Sequence, residues 1–380
     1  MAERRNAHSS GVTVATQAQR RVAPFMAAGV LSLLVGMWAG LARIGWQLPE
    51  ADGELMLRHG GLMVVGFVGT VIAVERAVAV RSMPAFAAPA LSAMCGIALI
   101  VGAPVVWPPA LAASAGAIYA LNMATLLIRH RTLPFAVMLV GSVFLTIGGI
   151  VWWHGGSLAA VVPWWIAFLA LTIAAERLEL LRFQRFTLAG AVLGIAAAAL
   201  IGIGPPVSWF DRASGARLLG VGLIAAAAWL LQRDGARRTV RTDGLARFIA
   251  VGLLVGYAWM ATTGVLLVAW GLSGAGLQYD AVVHAFFIGF VFNAIIAHEP
   301  IIAPSVTGLR FRYTPMLYAP LVLLDGALVT RVWADVALDV GVRRWAGLVQ
   351  VLAILLFLAL AVYSVISARI EDRRTSSQPA

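Results

Sequence analysis

The 380-residue sequence holds one cysteine and no lysine, and only 12% of its residues are charged. A lone thiol, Cys95, excludes a disulfide framework and a thiolate metal cluster. Soluble domains carry about 25% charged residues, so the shortage of charge excludes an ordinary water-exposed surface. Polar stretches long enough to form a soluble domain are missing as well. What fills the chain instead is apolar: 61% of residues are hydrophobic and the mean hydropathy is +0.90. Such an excess has no place in water, and in a bilayer it faces lipid. The apolar runs are continuous, rich in Ala, Leu and Gly, and about 20 residues long, the length of a membrane-spanning helix. They lack the short alternation of barrel strands. The expected fold class is all-α: a polytopic membrane protein of about twelve transmembrane helices, with the lipid bilayer as its partner.

Spans are expected at 22–46, 57–80, 85–106, 109–128, 133–153, 158–182, 186–204, 214–232, 247–271, 278–303, 313–333 and 345–368. Between them stand Pro49, Pro84, Pro108 with Pro109, Pro134, Gly155 with Gly156, Pro205 with Pro206, and the stretch 271–276. All 28 basic residues are arginine and the net charge is +11. In a soluble protein that balance would suggest nucleic acid. Here the arginines sit beside span ends, where they set orientation, and no nucleic-acid partner is expected. With the N-terminus inside, 21 of the 28 arginines fall on the cytoplasmic side. The other seven are Arg43, Arg58, Arg212, Arg217, Arg331, Arg343 and Arg344, several of them near Glu50, Asp52, Glu54 or Asp211. This bias predicts a multi-pass protein of the bacterial inner membrane with both termini cytoplasmic. Residues 1–21 and 369–380 read as tails and 22–368 as one transmembrane domain; residues 1–20 lack a cleavage-site pattern.

Three spans resemble one another. The second reads HGGLMVVGFVGTVIAVERAV, the sixth PWWIAFLALTIAAERLELL and the tenth HAFFIGFVFNAIIAHEPII. Each closes on a charged or ionisable pair: Glu75–Arg76, Glu176–Arg177 and His298–Glu299. One four-helix block separates each from the next, which suggests three pseudo-symmetric blocks at 22–131, 132–240 and 241–368.

Six histidines can be weighed singly. His8 lies in the tail, His130 between two arginines and His154 in a turn among tryptophans; solvation or an interface accounts for each. His298 sits near a helix end. His59 and His284 differ, because each lies about one turn inside the outer end of an equivalent span. An ionisable side chain within a span is costly and calls for a partner. Either ring alone is explained by a hydrogen bond to backbone. Together, at matched depth, they suggest a metal between them, and imidazole is a common axial ligand of haem iron. By helical spacing Met63, Gly66 and Thr70 share the face of His59, and Gly66 would leave room for a flat macrocycle. Ile288 and Val291 follow His284, with Phe286, Phe287 and Phe290 nearby. Arg343 and Arg344 stand on the outer side, against the orientation rule. They would give outward haem propionates charge-assisted partners, or else pair with Asp335 and Asp339, or with lipid phosphate.

Twelve helices in three blocks, with histidines at the outer ends of the second and tenth and an arginine pair before the twelfth, resemble the heme-copper oxidase superfamily. The likeness is to its distant branch containing NnrS, membrane haem proteins linked to nitric oxide stress. That resemblance implies that His59 and His284 hold a low-spin haem b, with Arg343 and Arg344 on its propionates. It also marks departures. The superfamily's copper site uses a histidine on helix 6 and two on helix 7. Here helix 6 offers Trp164 and Trp165, and helix 7 has no histidine. No copper centre is expected, and the function implied is electron transport or a nitrogen-oxide response, with an unidentified redox partner.

Two other classes stay open. Glu75, Glu176, Asp280, Glu299 and Asp325 lie in or near spans and suit a proton- or cation-coupled transporter. A membrane scaffold without a ligand is the third. Topology is directly testable: reporters after residue 370 and near Asp243 should read cytoplasmic, and one near Ala275 external. An external C-terminus would mean a miscounted span and would dissolve the threefold repeat.

Overall fold

The computed structural model describes residues 2–49, 53–180 and 187–376, with side chains described from residue 21 to residue 370 of these. Glu50, Asp52, Arg182 and Arg185, and the side chains of Arg4, Arg5, His8, Arg20, Arg373 and Arg374, lie outside the described residues. Among the described residues the regular structure is helical, without strands. Twelve helices are long and apolar enough to cross a membrane. They are α1 (Arg21–Arg43), α2 (Gly53–Val80), α3 (Met83–Ile100), α4 (Trp107–His130), α5 (Leu133–Trp153) and α6 (Leu158–Leu180). The second half comprises α7 (Leu188–Phe210), α8 (Arg212–Arg233), α9 (Gly244–Trp270), α10 (Leu277–Thr307), α11 (Pro315–Ala337) and α12 (Val340–Ile370). An even number of crossings puts both chain ends on one face, called the terminal face below; the other is the distal face.

The boundaries follow local chemistry. Pro84, Pro108 and Pro134 sit in the first turns of α3, α4 and α5, where a missing N–H costs nothing. Thr187 and Asp211 cap α7 and α8, their side chains accepting from Gly190 and Ala213 N–H. Two expected boundaries are wrong: the third span ends at Ile100 and not at 106, and the seventh runs on. Pro205 and Pro206 do not end the seventh span but lie inside α7, which runs on to Phe210. Proline fixes a helical φ, and the bonds lost are those to the carbonyls of Ile201 and Gly202, one turn earlier; the Ser208 hydroxyl donates to the Pro205 carbonyl at 2.6 Å.

The three spans that look alike form the centre. Within their most apolar windows α2, α6 and α10 are 67%, 78% and 72% buried, while peripheral α7 is 28% buried. Lipid covers what neighbours do not, so only the central three must satisfy polar groups wholly from within. They do so at the terminal face. Arg76 of α2 donates to Glu176 of α6 at 2.5 Å. The adjacent Arg177 grips Asp234, just past α8, through two bonds of 2.7 and 3.0 Å. A third Arg177 nitrogen lies 3.0 Å from Nε2 of His298 on α10. Asp234 also accepts from the Tyr257 hydroxyl on α9 and from Ala236 N–H. Burial by itself would raise the Asp234 carboxyl; the Arg177 bonds, then Tyr257 and the backbone, hold it below the ordinary range. Elsewhere small residues let helices touch: a Cβ on Gly220 of α8 would fall 2.7 Å from the Gly264 carbonyl of α9.

The Asp234 carboxylate is buried and Arg177 is its cationic partner, so removing one charge strands the other. Arg177→Ala should cost about 3–5 kcal/mol, read as a large fall in thermal midpoint of the detergent-solubilised protein. Arg233→Ala, on an exposed bond to Thr187, should change it by less than about 1 kcal/mol.

Candidate functional site

Toward the distal end, the central helices open around a cavity of about 890 Å³. Its walls come from α1 through α6 and from α10 to α12, and it receives both His59 and His284. The two imidazoles, 225 residues apart in the chain, have centroids 6.3 Å apart and planes within 21° of parallel. That separation is too wide for face-to-face contact.

Each ring is fixed through the same atom. His59 Nδ1 lies 2.7 Å from the Gly36 carbonyl of α1. His284 Nδ1 lies 2.8 Å from the Asp280 carbonyl one turn earlier in its own helix. A carbonyl only accepts, so both rings carry their proton on Nδ1, and Nε2 keeps its lone pair. Among the described residues neither Nε2 has a hydrogen-bond partner. The arrangement presents two fixed imidazole lone pairs to one apolar-walled space, which is a ligand set for a metal with two open positions.

Glycine makes room for one of these rings. A Cβ on Gly40 would stand 2.8 Å from Cε1 and 3.0 Å from Nδ1 of His59, and one on Gly36 would stand 2.7 Å from Met63 Sδ. Gly36 and Gly40 form a small-xxx-small pair; this is the signal in the sequence that points to α1 as the seat of His59. Gly66 has another role. A Cβ there would meet Ser32 at 2.9 Å and the Gly96 backbone at 3.0 Å, so Gly66 lets α1, α2 and α3 approach and does not border the cavity. The reason is a local change of helix type. Residues Leu62–Gly69 are π-helical, and a wider turn carries later residues off the face that α spacing assigns them. Met63 stays at the cavity wall and Gly66 turns away.

The same departure recurs in α10, where Ala285–Phe292 is π-helical directly after His284. Gly66-Phe67-Val68 and Gly289-Phe290-Val291 occupy equivalent places in the two π segments. Phe67 and Phe292 also touch across the helix pair, with ring centroids 5.8 Å apart. Aligned this way, the two histidines differ by two positions, and both still line the cavity. Phe287 and Ile288 line the cavity, whereas Phe286, Phe290 and Val291 are buried outside its lining.

The distal arginines divide into two groups. Arg43, Arg58 and Arg331 line the cavity; Arg343 and Arg344 do not. Arg343 bridges Asp280 at 2.9 Å and Asp335 at 3.0 Å, the loop pairing in part expected of it. Arg344 lies 4.3 Å over the Trp46 ring. Arg331, buried on α11, clamps the Asp280 carboxylate at 2.9 and 3.1 Å and donates to Gln350 Oε1 at 2.8 Å. Gln350 lines the cavity as well, and its buried amide nitrogen has no partner. Sequence reasoning passed over Gln350 because a lone glutamine in a span carries no motif.

The remaining candidates lie elsewhere. His130 and His154 are exposed beside Phe135 and Trp153, and His298 belongs to the Arg177 cluster. Asp325 of α11 accepts from Trp259 and Asn293, each at 2.8 Å, on a single oxygen. Among the described residues no three His, Cys, Asp or Glu side chains converge as a metal-binding group.

The seat of His59 can be tested through packing. Gly40→Ala forces the imidazole or α1 to shift and should cost about 1–3 kcal/mol in thermal unfolding. Gly326→Ala, where a Cβ meets nothing within 4 Å, should be neutral or slightly stabilising. Equal effects would remove the claim that Gly40 is specifically fitted to the ring.

No curated protein matches this chain. Residues 21–366 match a family described as Domain of unknown function (DUF8744). That match takes in all twelve spans nearly end to end, with both histidines and the arginine cluster inside it, and the chain belongs to the DUF8744 family.

Proposed function

We propose that this protein is a membrane haem protein in which His59 and His284 are the two axial ligands of a single haem b. The support is one observation, the spacing and tautomers of the imidazole pair. A metal sits roughly 2 Å from an imidazole nitrogen, and that nitrogen lies about 1 Å from its ring centre, so two axial imidazoles have centroids roughly 6 Å apart. The observed centroid separation is 6.3 Å. Nδ1 protons tied to carbonyls are the usual way that a ligand ring is oriented for binding through Nε2. The cavity's 890 Å³ lies within the roughly 300–1,000 Å³ of cofactor sites. Arg331 and the unpartnered Gln350 amide offer donors to acidic side arms from inside the cavity. Arg343 would act only through Asp280.

A haem held by two protein imidazoles supplies one-electron exchange and has no open axial position. That suits electron transfer or sensing better than reduction of a bound substrate, in keeping with the NnrS-like resemblance and a nitrogen-oxide role without a copper centre. The proposed setting is the bacterial inner membrane, with the terminal face cytoplasmic and the cavity near the outer face. A redox partner would then approach the distal mouth at Arg43 and Arg58.

Asp325 supports a second reading, a proton- or cation-coupled transporter. Its carboxylate is held by neutral donors, and among the described residues no arginine is paired with it. A span carboxylate without a cation is the usual mark of a coupling site.

The absorption spectrum of protein purified after expression with ample haem decides between the two. The expected result is a six-coordinate, low-spin spectrum with sharp reduced bands and little response to carbon monoxide. His59→Ala and His284→Ala should each lower haem retention by roughly tenfold or more, about 1.4 kcal/mol, or leave it five-coordinate, while His130→Ala is without effect. A colourless wild-type protein would sink the haem reading, and Asp325→Asn in a transport assay would follow. Haem retained by both histidine variants would keep the cofactor and refute this site.

A further inference from the structure

We infer that Asp325, Asn293 and Trp259 form a binding site for one exchangeable proton in the middle of the membrane, with Asp325 as its neutral acid; this names the ion of the Asp325 reading, on which it rests, and is independent of the haem. Roughly 15–18 Å of α11 separates Asp325 from either end of that helix. An ionised carboxylate at such a depth calls for a cation. Among the described residues none is paired with it, and the nearest ionisable groups on the neighbouring helices are engaged elsewhere. Tyr257 on α9 donates to Asp234, and His298 on α10 belongs to the Arg177 cluster. Toward the distal side His284 lines the cavity, and Arg331 on α11 clamps Asp280. On α12 no ionisable residue stands between Arg344 and Tyr363.

Counting hydrogens shows what is missing. Oδ1 of Asp325 accepts from the Trp259 indole and from the Asn293 amide, each at 2.8 Å. The same amide nitrogen donates to the Gly289 carbonyl at 2.7 Å, so its hydrogens are spent. Asn293 Oδ1, wholly buried, has no partner, and among the described residues neither has Asp325 Oδ2. The two unpaired acceptors belong to groups already joined, since the amide oxygen stands no more than about 5 Å from the carboxylate oxygen that its nitrogen bonds. One proton on Oδ2 removes the charge and supplies the donor that Asn293 Oδ1 lacks; a carboxylic acid and a primary amide are complementary in this way. A hard metal cation takes about six or more oxygens, and the Gly289 carbonyl is already used. The node is also rigid, because the Trp259 ring packs on Gly289, where a Cβ would overlap it. Asp325 is partly exposed at the edge of a lipid-facing stripe: Val322 and Val329, one turn to either side, are exposed, while Leu321 and Leu328 are buried.

The wild-type protein can be tested directly in detergent or liposomes. Its infrared spectrum at neutral pH should hold the carbonyl band of a protonated carboxyl group that shifts in heavy water and is missing from Asp325→Asn. Dicyclohexylcarbodiimide, which enters from lipid and adds the O–H of an acid across its C=N bond, should label Asp325, as located by peptide mapping. Labelling should fall as the pH is raised, and sodium or potassium chloride should not protect. Asp325→Asn should keep the wild-type thermal midpoint, because its new amide can donate to Asn293 Oδ1 as the acid does. Protection by sodium or potassium would overturn the proton and leave a cation-coupled reading standing. An ionised Asp325 that neither salt protects would overturn both. An acid band that does not shift in heavy water would make the proton a fixed structural one and overturn the inference, as would a large fall in the Asp325→Asn midpoint.

Discussion

Everything polar at the centre of this protein must be satisfied by the protein itself, because the surrounding lipid offers no hydrogen bonds. Nine helices surround α2, α6 and α10; all three carry ionisable side chains near the terminal end, and α2 and α10 near the distal end as well. Several of those side chains are held there in pairs. Arg76 has Glu176, Arg177 has Asp234, and Asp280 has two arginines. An unmatched charge at such a depth costs several kcal/mol, so the pairings fix how the inner helices stand against one another. The cavity and its histidines inherit their geometry from that arrangement.

The terminal and distal clusters differ in character. At the terminal face the bonds run from α2 to α6 and from α6 to α10, and the Asp234 contacts add α8 and α9. They join α2, α6, α8, α9 and α10 into one unit. At the distal face the ion pairs between helices run among α10, α11 and α12, while α2 bonds to α1 through His59 and to α3 through Arg58. The cavity opens at the distal end, beside these bonds.

How much of this was legible in the sequence varies with the kind of signal. The spans read clearly, since a bilayer demands about twenty apolar residues and the chain supplies them twelve times. The proline pair of α7 misled, because a breaker in water is tolerated where lipid leaves the helix no alternative. His59 and His284 were found by depth, which survives small register changes. Gly66 was misassigned by α-helical counting across a π segment that nothing in the local composition announces. Arg343 and Arg344 are singled out by position alone; which arginine reaches the cavity depends on where α11 stands, and Arg331 is in sequence one of seven arginines against the orientation rule. Asp280 was noticed only as a span carboxylate, because its two arginines lie 51 and 63 residues further along the chain.

The π segments carry a consequence of their own. A helix of uniform pitch ties the direction of a side chain at one end to that of every side chain at the other. Eight π-helical residues wind less per residue than eight α-helical ones, which turns the two ends of α2 and of α10 by something on the order of a third to a half turn relative to each other. One stiff rod can then aim an imidazole at its neighbour above and an arginine or histidine at a different neighbour below. The wide turn acts as a coupling with a built-in twist, so that α2 and α10 serve two differently oriented sites without a kink or a break in the membrane.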